Sequence, residues 1–155
     1  ANETYAGLTI TVPEAWASVQ PSSQMRTAQF QMNSAAGGKS EMVVFYFGPD
    51  QGGTAAANLT RWAGQIVNNE GLEPVIFSYP QNDLVISEIL ALGTMQPSMM
   101  GVGPTEPVPN QYIYGIVIEG GPEGSLFLNA SGPESELAAQ EPALYSLAKS
   151  IRVAE

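Results

Sequence analysis

Apolar and polar residues alternate in several short runs of this chain, and in two stretches the apolar ones recur at helical spacing. Leu8-Thr9-Ile10-Thr11-Val12 alternates and stops at Pro13, the pattern of a half-buried strand. Trp16 to Val19 reads as a short strand stopped by Pro21, and Met25 to Met32 as an extended segment of weaker alternation. Ala35 to Lys39 is turn material. Met42 to Phe47 is continuously apolar and aromatic, which suits a central strand covered on both faces. Val75 to Tyr79 and Leu84 to Met95 read as two strands joined by the turn Pro80-Gln81-Asn82-Asp83, a length that suits a hairpin. Tyr112 to Glu119 and Ser125 to Ala130 form a second such pair around Gly120 to Gly124.

Helical spacing marks the other two stretches. Ala55, Leu59, Trp62 and Ile66 recur on one face, with Thr54 as the cap and Asn68-Asn69-Glu70-Gly71 as the stop. Leu137, Leu144, Leu147, Ala148 and Ile151 line a second helix. Ser131 and Glu134 have the spacing of a capping box at its start, and Pro142 predicts a kink or a split inside it. Glu134 and Glu136 in its first turn and Lys149 and Arg152 in its last follow the helix dipole. Between Gln96 and Gln111 four prolines and two glycines predict a loop with no regular element, long enough to be functional or mobile. Hairpins followed by amphipathic helices predict an α+β fold, an antiparallel β-sheet flanked by two helices, in a single domain over residues 1–155.

Composition narrows the function classes. Acids outnumber bases 15 to 5, for a formal net charge of −10. From Trp62 to Ala148 there is no Lys or Arg. No cation cluster can form there to replace phosphate counterions, so no nucleic acid is expected as a partner, and no basic membrane patch. No apolar run approaches the roughly 20 residues of a transmembrane segment. The chain has no His and no Cys, which removes imidazole bases, thiol nucleophiles and thiolate metal sites. A start at Ala1 without a leader, few lysines and many Asn, Gln, Ser and Thr predict a trimmed, exported bacterial domain. The expected location is extracytoplasmic, in the periplasm or cell envelope, a lipid anchor ahead of Ala1 being one form of it.

Candidate chemistry is sparse. Asn58, Arg61, Trp62 and Gln65 fall on one side of the first helix. Trp62 is expected to pack on the sheet. Arg61, the sole cation between Lys39 and Lys149, is expected to pair with Asp50 or Glu41, or else to anchor a partner beside Trp62. Gln51-Gly52-Gly53-Thr54 precedes a helix N-terminus, where free N–H groups can hold an anion, but it lacks the Gly-Lys-Ser/Thr of a phosphate loop. Met95, Met99 and Met100 carry thioethers that suit copper(I); without His or Cys beside them they read as packing under the loop. Glu41, Asp50, Asp83, Glu88, Glu119 and Glu123 could act as a hydrolytic pair only if two faced each other across a cleft, and no Asp-x-Asp-x-Asp-Gly calcium loop is present. Ser146-x-x-Lys149 lacks the partner motifs of penicillin-recognising enzymes, and the sequons at Asn2, Asn58 and Asn129 fall mostly on regular elements.

Met25-Arg26-Thr27-Ala28-Gln29-Phe30, Glu41-Met42-Val43-Val44-Phe45-Tyr46-Phe47-Gly48, Gln51-Gly52-Gly53, Asn58, Arg61, Trp62 and Gln65 together carry a family resemblance. The chain resembles the PsbP/Mog-like fold, and within it exported bacterial proteins of similar size. The resemblance implies an α/β/α sandwich. It implies no activity, and with it no catalytic residue, metal or cofactor. The resulting expectation is a non-catalytic binding or scaffolding domain of the bacterial cell envelope with a protein partner. Its candidate surface comprises Asp50, Gln51, Asn58, Arg61, Trp62, Gln65, Met99 and Met100. A carboxylate-dependent hydrolase and a cation-binding protein are the alternatives.

Overall fold

The computed structural model describes residues 1–32, 40–67, 73–97 and 106–155. In chain order the elements are β1 (Asn2–Tyr5), β2 (Leu8–Thr11), β3 (Ala17–Val19), β4 (Ala28–Gln31), β5 (Glu41–Phe45), α1 (Ala55–Ala63) and β6 (Ile66–Val67). They continue with β7 (Val75–Gln81), β8 (Leu84–Met95), β9 (Val108–Glu119), β10 (Leu126–Pro133), α2 (Glu134–Ser150) and β11 (Arg152–Val153). An eight-stranded sheet runs β3-β4-β5-β10-β9-β8-β6, with β7 also on β8; a three-stranded sheet runs β1-β2-β11. Every ladder is antiparallel.

The continuous apolar runs have the physical meaning expected of them. Side chains on a strand point alternately to opposite faces, so a strand apolar at every position has both faces covered. In β9, Tyr112, Tyr114, Ile116 and Ile118 pack toward α2, whereas Ile113 and Val117 pack toward α1. In β8, Leu84 and Ile86 serve the first core, Ile89 and Ala91 the second. Met42 and Val44 of β5 belong to the α2 side, and Phe45 packs on the α1 side. The three-stranded sheet adds Leu8 and Ile10 to the α2-side core.

Several boundaries differ from expectation. The first helix ends at Ala63, where Gly64 N–H closes onto Thr60 O, rather than at Asn68. Ile66 still reaches the core, but from β6, opposite Met95. The β7–β8 turn is the two residues Asn82 and Asp83, both at positive φ (50° and 65°), because Pro80 and Gln81 continue the ladder. Strand β9 starts at Val108, inside the segment expected to be irregular; Pro109 and Asn110 are accommodated by a register shift opposite Gly93 to Met95. No capping box opens α2. Ser131 is held in the ladder between β5 and β9 and Gly132 in the ladder with β9, the helix begins at Glu134, and no side chain caps it. Pro142 does not split α2, which is continuous over 17 residues. Strands β1, β6 and β11 were not expected at all.

Candidate functional site

Helix α1 has nine residues, a length that is marginal in isolation, so it must be held by its surroundings. Thr54 Oγ1 accepts from Ala57 N at 3.1 Å and caps its start. Ala55, Leu59 and Trp62 anchor its buried face. Trp62 lies directly over Gly115 of β9, where a Cβ would come within 2.4 Å of the indole ring. Glycine at that point lets the helix sit close to the sheet.

A helix this short leaves the sheet uncovered on both of its flanks. On one flank is a cavity of about 540 Å³. Phe45, Phe47 and Phe127 form its floor. The Phe45 and Phe47 rings stack at 6.0 Å between centroids, and Phe127 lies 5.6 Å from Phe47. Asn58, Arg61 and Trp62 form the helical wall, Gln65 extends it in the turn after α1, and Met25, Gln51 and Gly52 complete the rim. Of the lining residues, only Arg61 carries a charge.

Asn58 organises this wall. Its side chain is fully buried. Nδ2 donates to Gly52 O at 2.7 Å and to Thr54 O at 2.9 Å, tying the loop to the helix. Its Oδ1 accepts from Arg61 Nη2 at 2.5 Å. A buried amide thus sets where an exposed guanidinium points. Gly52 takes a φ of +92° and packs so tightly on the floor that a Cβ would lie 2.7 Å from the Phe127 ring.

Five of the eight candidate residues therefore line one cavity: Gln51, Asn58, Arg61, Trp62 and Gln65. Asp50 is exposed in the adjoining turn at a φ of 57° and does not line it. Met99 and Met100, like residues 98–105 of the long loop, lie outside the described residues. The expected pairing of Arg61 with Asp50 or Glu41 does not occur. Glu41 Oε2 instead takes Arg26 Nη1 at 3.0 Å, and Asn58, three residues back on the same helix, engages Arg61. Phe45, Phe47, Phe127 and Met25 were missed as site residues, since only the sheet order brings them beneath α1.

The opposite flank of α1 holds a second cavity of about 500 Å³, between Leu59 and Thr60 on the helix and Ile76, Ser78, Val85 and Ser87 on β7 and β8. Glu119 also lines it, and its Oε2 accepts from Ala55 N at 3.4 Å. One N–H of the helix N-terminus thus faces the chain's own carboxylate. Neither cavity brings two carboxylates together. Among the described residues, no group of three or more Asp or Glu side chains is placed to hold a metal ion.

The other face of the sheet carries a polar cluster of a different kind. Glu88 is 3% exposed and accepts from the hydroxyls of Tyr79 and Tyr114. Tyr112 donates to Glu141 of α2 at 2.7 Å. Burial, with Glu88 beside them, pushes the Tyr79 and Tyr114 hydroxyls well above their usual value of 10.0, and burial with Glu141 does the same to Tyr112. The sequence signal for this cluster was an acid inside the apolar run of β8.

No protein-family model and no curated protein matches this sequence. Among solved structures, the solution structure of cyanobacterial PsbP (CyanoP) from Synechocystis sp. PCC 6803 is similar to this chain, with a TM-score of 0.60. The match covers 99% of this chain and 90% of that one at 14% identity. The fold is PsbP-like. At that identity the PsbP-like frame carries architecture and no residue role, so the cavity beside α1 has to be argued from its own side chains. No helix among the described residues is long and apolar enough to cross a membrane.

Proposed function

We propose that residues 1–155 act as one non-catalytic binding or scaffolding domain of the bacterial cell envelope, outside the cytoplasm, and that the cleft beside α1 receives a protein partner. The observation that supports this most is the Asn58–Arg61 arrangement: a fully buried amide holds the one charged side chain of an aromatic-floored cleft. A side chain fixed before the partner arrives costs less to order on binding. Aromatic and Arg side chains are also the ones that most often anchor interfaces. The hydrolase alternative has no pair of carboxylates across either cavity to work with.

Capture from envelope extract by the immobilised domain tests the proposal. Arg61→Ala and Met25→Asp change exposed side chains at the cleft, and Tyr145→Ala changes one on the opposite helix. The first two should lose a component that the wild type and Tyr145→Ala retain. If all four domains capture the same components in the same amounts, the cleft is not the binding surface.

A further inference from the structure

We infer that the cleft beside α1 takes the free C-terminus of a partner chain whose last residue is apolar, with the terminal carboxylate on Arg61. This deepens the proposal that the cleft is the partner-binding site and rests on it. The charge balance is the first argument. The chain carries −10 overall, yet no acid lines this cavity and Arg61 is its single charge. The cleft is a locally cationic spot on an anionic protein, so an anionic group is favoured there and repelled over most of the remaining surface.

The floor supplies the second argument. The half-buried Phe45 and Phe47 rings present an apolar surface that an aliphatic or aromatic side chain would cover, backed by the nearly buried Phe127 and Trp62 rings. An apolar floor sharing one cavity with a guanidinium held by Asn58 selects groups in which an apolar body is joined directly to a carboxylate. A chain end has that chemistry. A guanidinium also offers paired N–H donors in a fork that matches a carboxylate, and Asn58 occupies only Nη2.

The third argument is the pair of amides at the rim. Gln51 and Gln65 are exposed beside the aromatic floor, and their side chains have no hydrogen-bond partner among the described residues. Primary amides both donate and accept, which suits the main chain of the residues preceding a terminus. A volume of about 540 Å³ falls in the range of pockets that enclose small ligands and gives room for more than one side chain.

Titration of the isotope-labelled domain with short peptides tests this. The probes are an acetylated tetrapeptide ending in Phe as the free acid, the same peptide as its C-terminal amide, and 3-phenylpropanoate. The Trp62 indole N–H signal reports the cleft. That of Trp16, which donates to Gln140 on the far side of the sheet, serves as the internal control. The acid should move the Trp62 signal and bind at least tenfold more tightly than the amide, with the Trp16 signal unmoved. Arg61→Gln should abolish the preference for the acid, and Arg61→Lys should restore part of it. Equal affinity of acid and amide overturns the inference, as does 3-phenylpropanoate binding as tightly as the peptide. Either result leaves an Arg61-dependent capture from envelope extract standing. Loss of that capture dependence would remove the underlying site instead.

Discussion

Helices α1 and α2 cover opposite faces of one eight-stranded sheet, but to different degrees. Helix α2 is 17 residues long and lies over a core joined by the three-stranded sheet. Polar groups within that side are answered internally: Glu88 by two tyrosines, Tyr112 by Glu141, the Trp16 indole by Gln140. Helix α1 is nine residues long and leaves a cavity on each flank. On that side the polar groups are exposed at a rim and the aromatics form a floor. The α2 face is the more completely closed core, and the α1 face is the one on which the proposed partner would have room. The contrast follows from element length and does not need any special residue.

The largest expected effect separates the two faces by their response to the same deletion. Leu147 of α2 is buried in a closed core, so Leu147→Ala should cost about 3–5 kcal/mol through lost transfer energy plus an unrelaxed cavity. Leu59 of α1 borders an open cleft, so Leu59→Ala should cost only about 2 kcal/mol. Urea denaturation measures both, and equal costs would break the distinction.

Next is the buried carboxylate. Glu88→Ala strands the Tyr114 and Tyr79 hydroxyls, and about 3 kcal/mol of stability should be lost. Gly115→Ala acts on the other face. Its Cβ collides with Trp62, so α1 should be displaced at a cost of about 1–3 kcal/mol, with the Trp62 emission shifted to the red and the α2-side core unchanged.

The α2 face should also show in the pH dependence. Tyr79, Tyr112 and Tyr114 have pKa values raised above 10.0 by burial, so the folded state holds protons that the unfolded state releases. Their contribution is fully present below pH 10 and is lost as pH rises beyond it. Tyr5, pushed up to about 12 by burial and the neighbouring Glu3, follows the same direction. For Tyr114, which is 1% exposed, the slope is about 1.4 kcal/mol per pH unit above 10. Tyr114→Phe should flatten the alkaline limb of a stability–pH curve. The smallest effect is expected at Arg61→Ala, about 1 kcal/mol, because its exposed guanidinium gives up one hydrogen bond to Asn58 Oδ1 that water in the open cleft can replace. Loss of partner capture with so small a loss of stability is the pattern that marks a binding residue.

Much of the sheet was legible from pattern alone. Strand β8 spans Leu84–Met95 as expected, and the unbroken apolar run from Met42 announced a strand with two covered faces. The helical wall of the cleft was legible too, because spacing alone puts Asn58, Arg61 and Trp62 together; Gln65 reaches the same cavity from the turn after the helix. Its floor was not. Phe127 reaches Phe47 only through the pairing of β10 with β5, a contact that no local window contains. The same non-locality hid β1 and β11: Arg152 finds its partner at Thr9, across nearly the whole chain. The capping box at Ser131 failed for a related reason. A local signal for a helix start was overridden by a ladder that holds Ser131 between Glu41 and Ile113.

Because the chain has no cysteine, a single introduced thiol can be labelled without competition. A bulky maleimide at Gln65→Cys fills the cleft beside α1, and one at Ala139→Cys stands on the exposed side of α2. The Gln65 adduct should lose the component that the wild type captures from envelope extract, while the Ala139 adduct should retain it at the wild-type level. Retention by the Gln65 adduct, or loss by the Ala139 adduct, would contradict the assignment of binding to the α1 face.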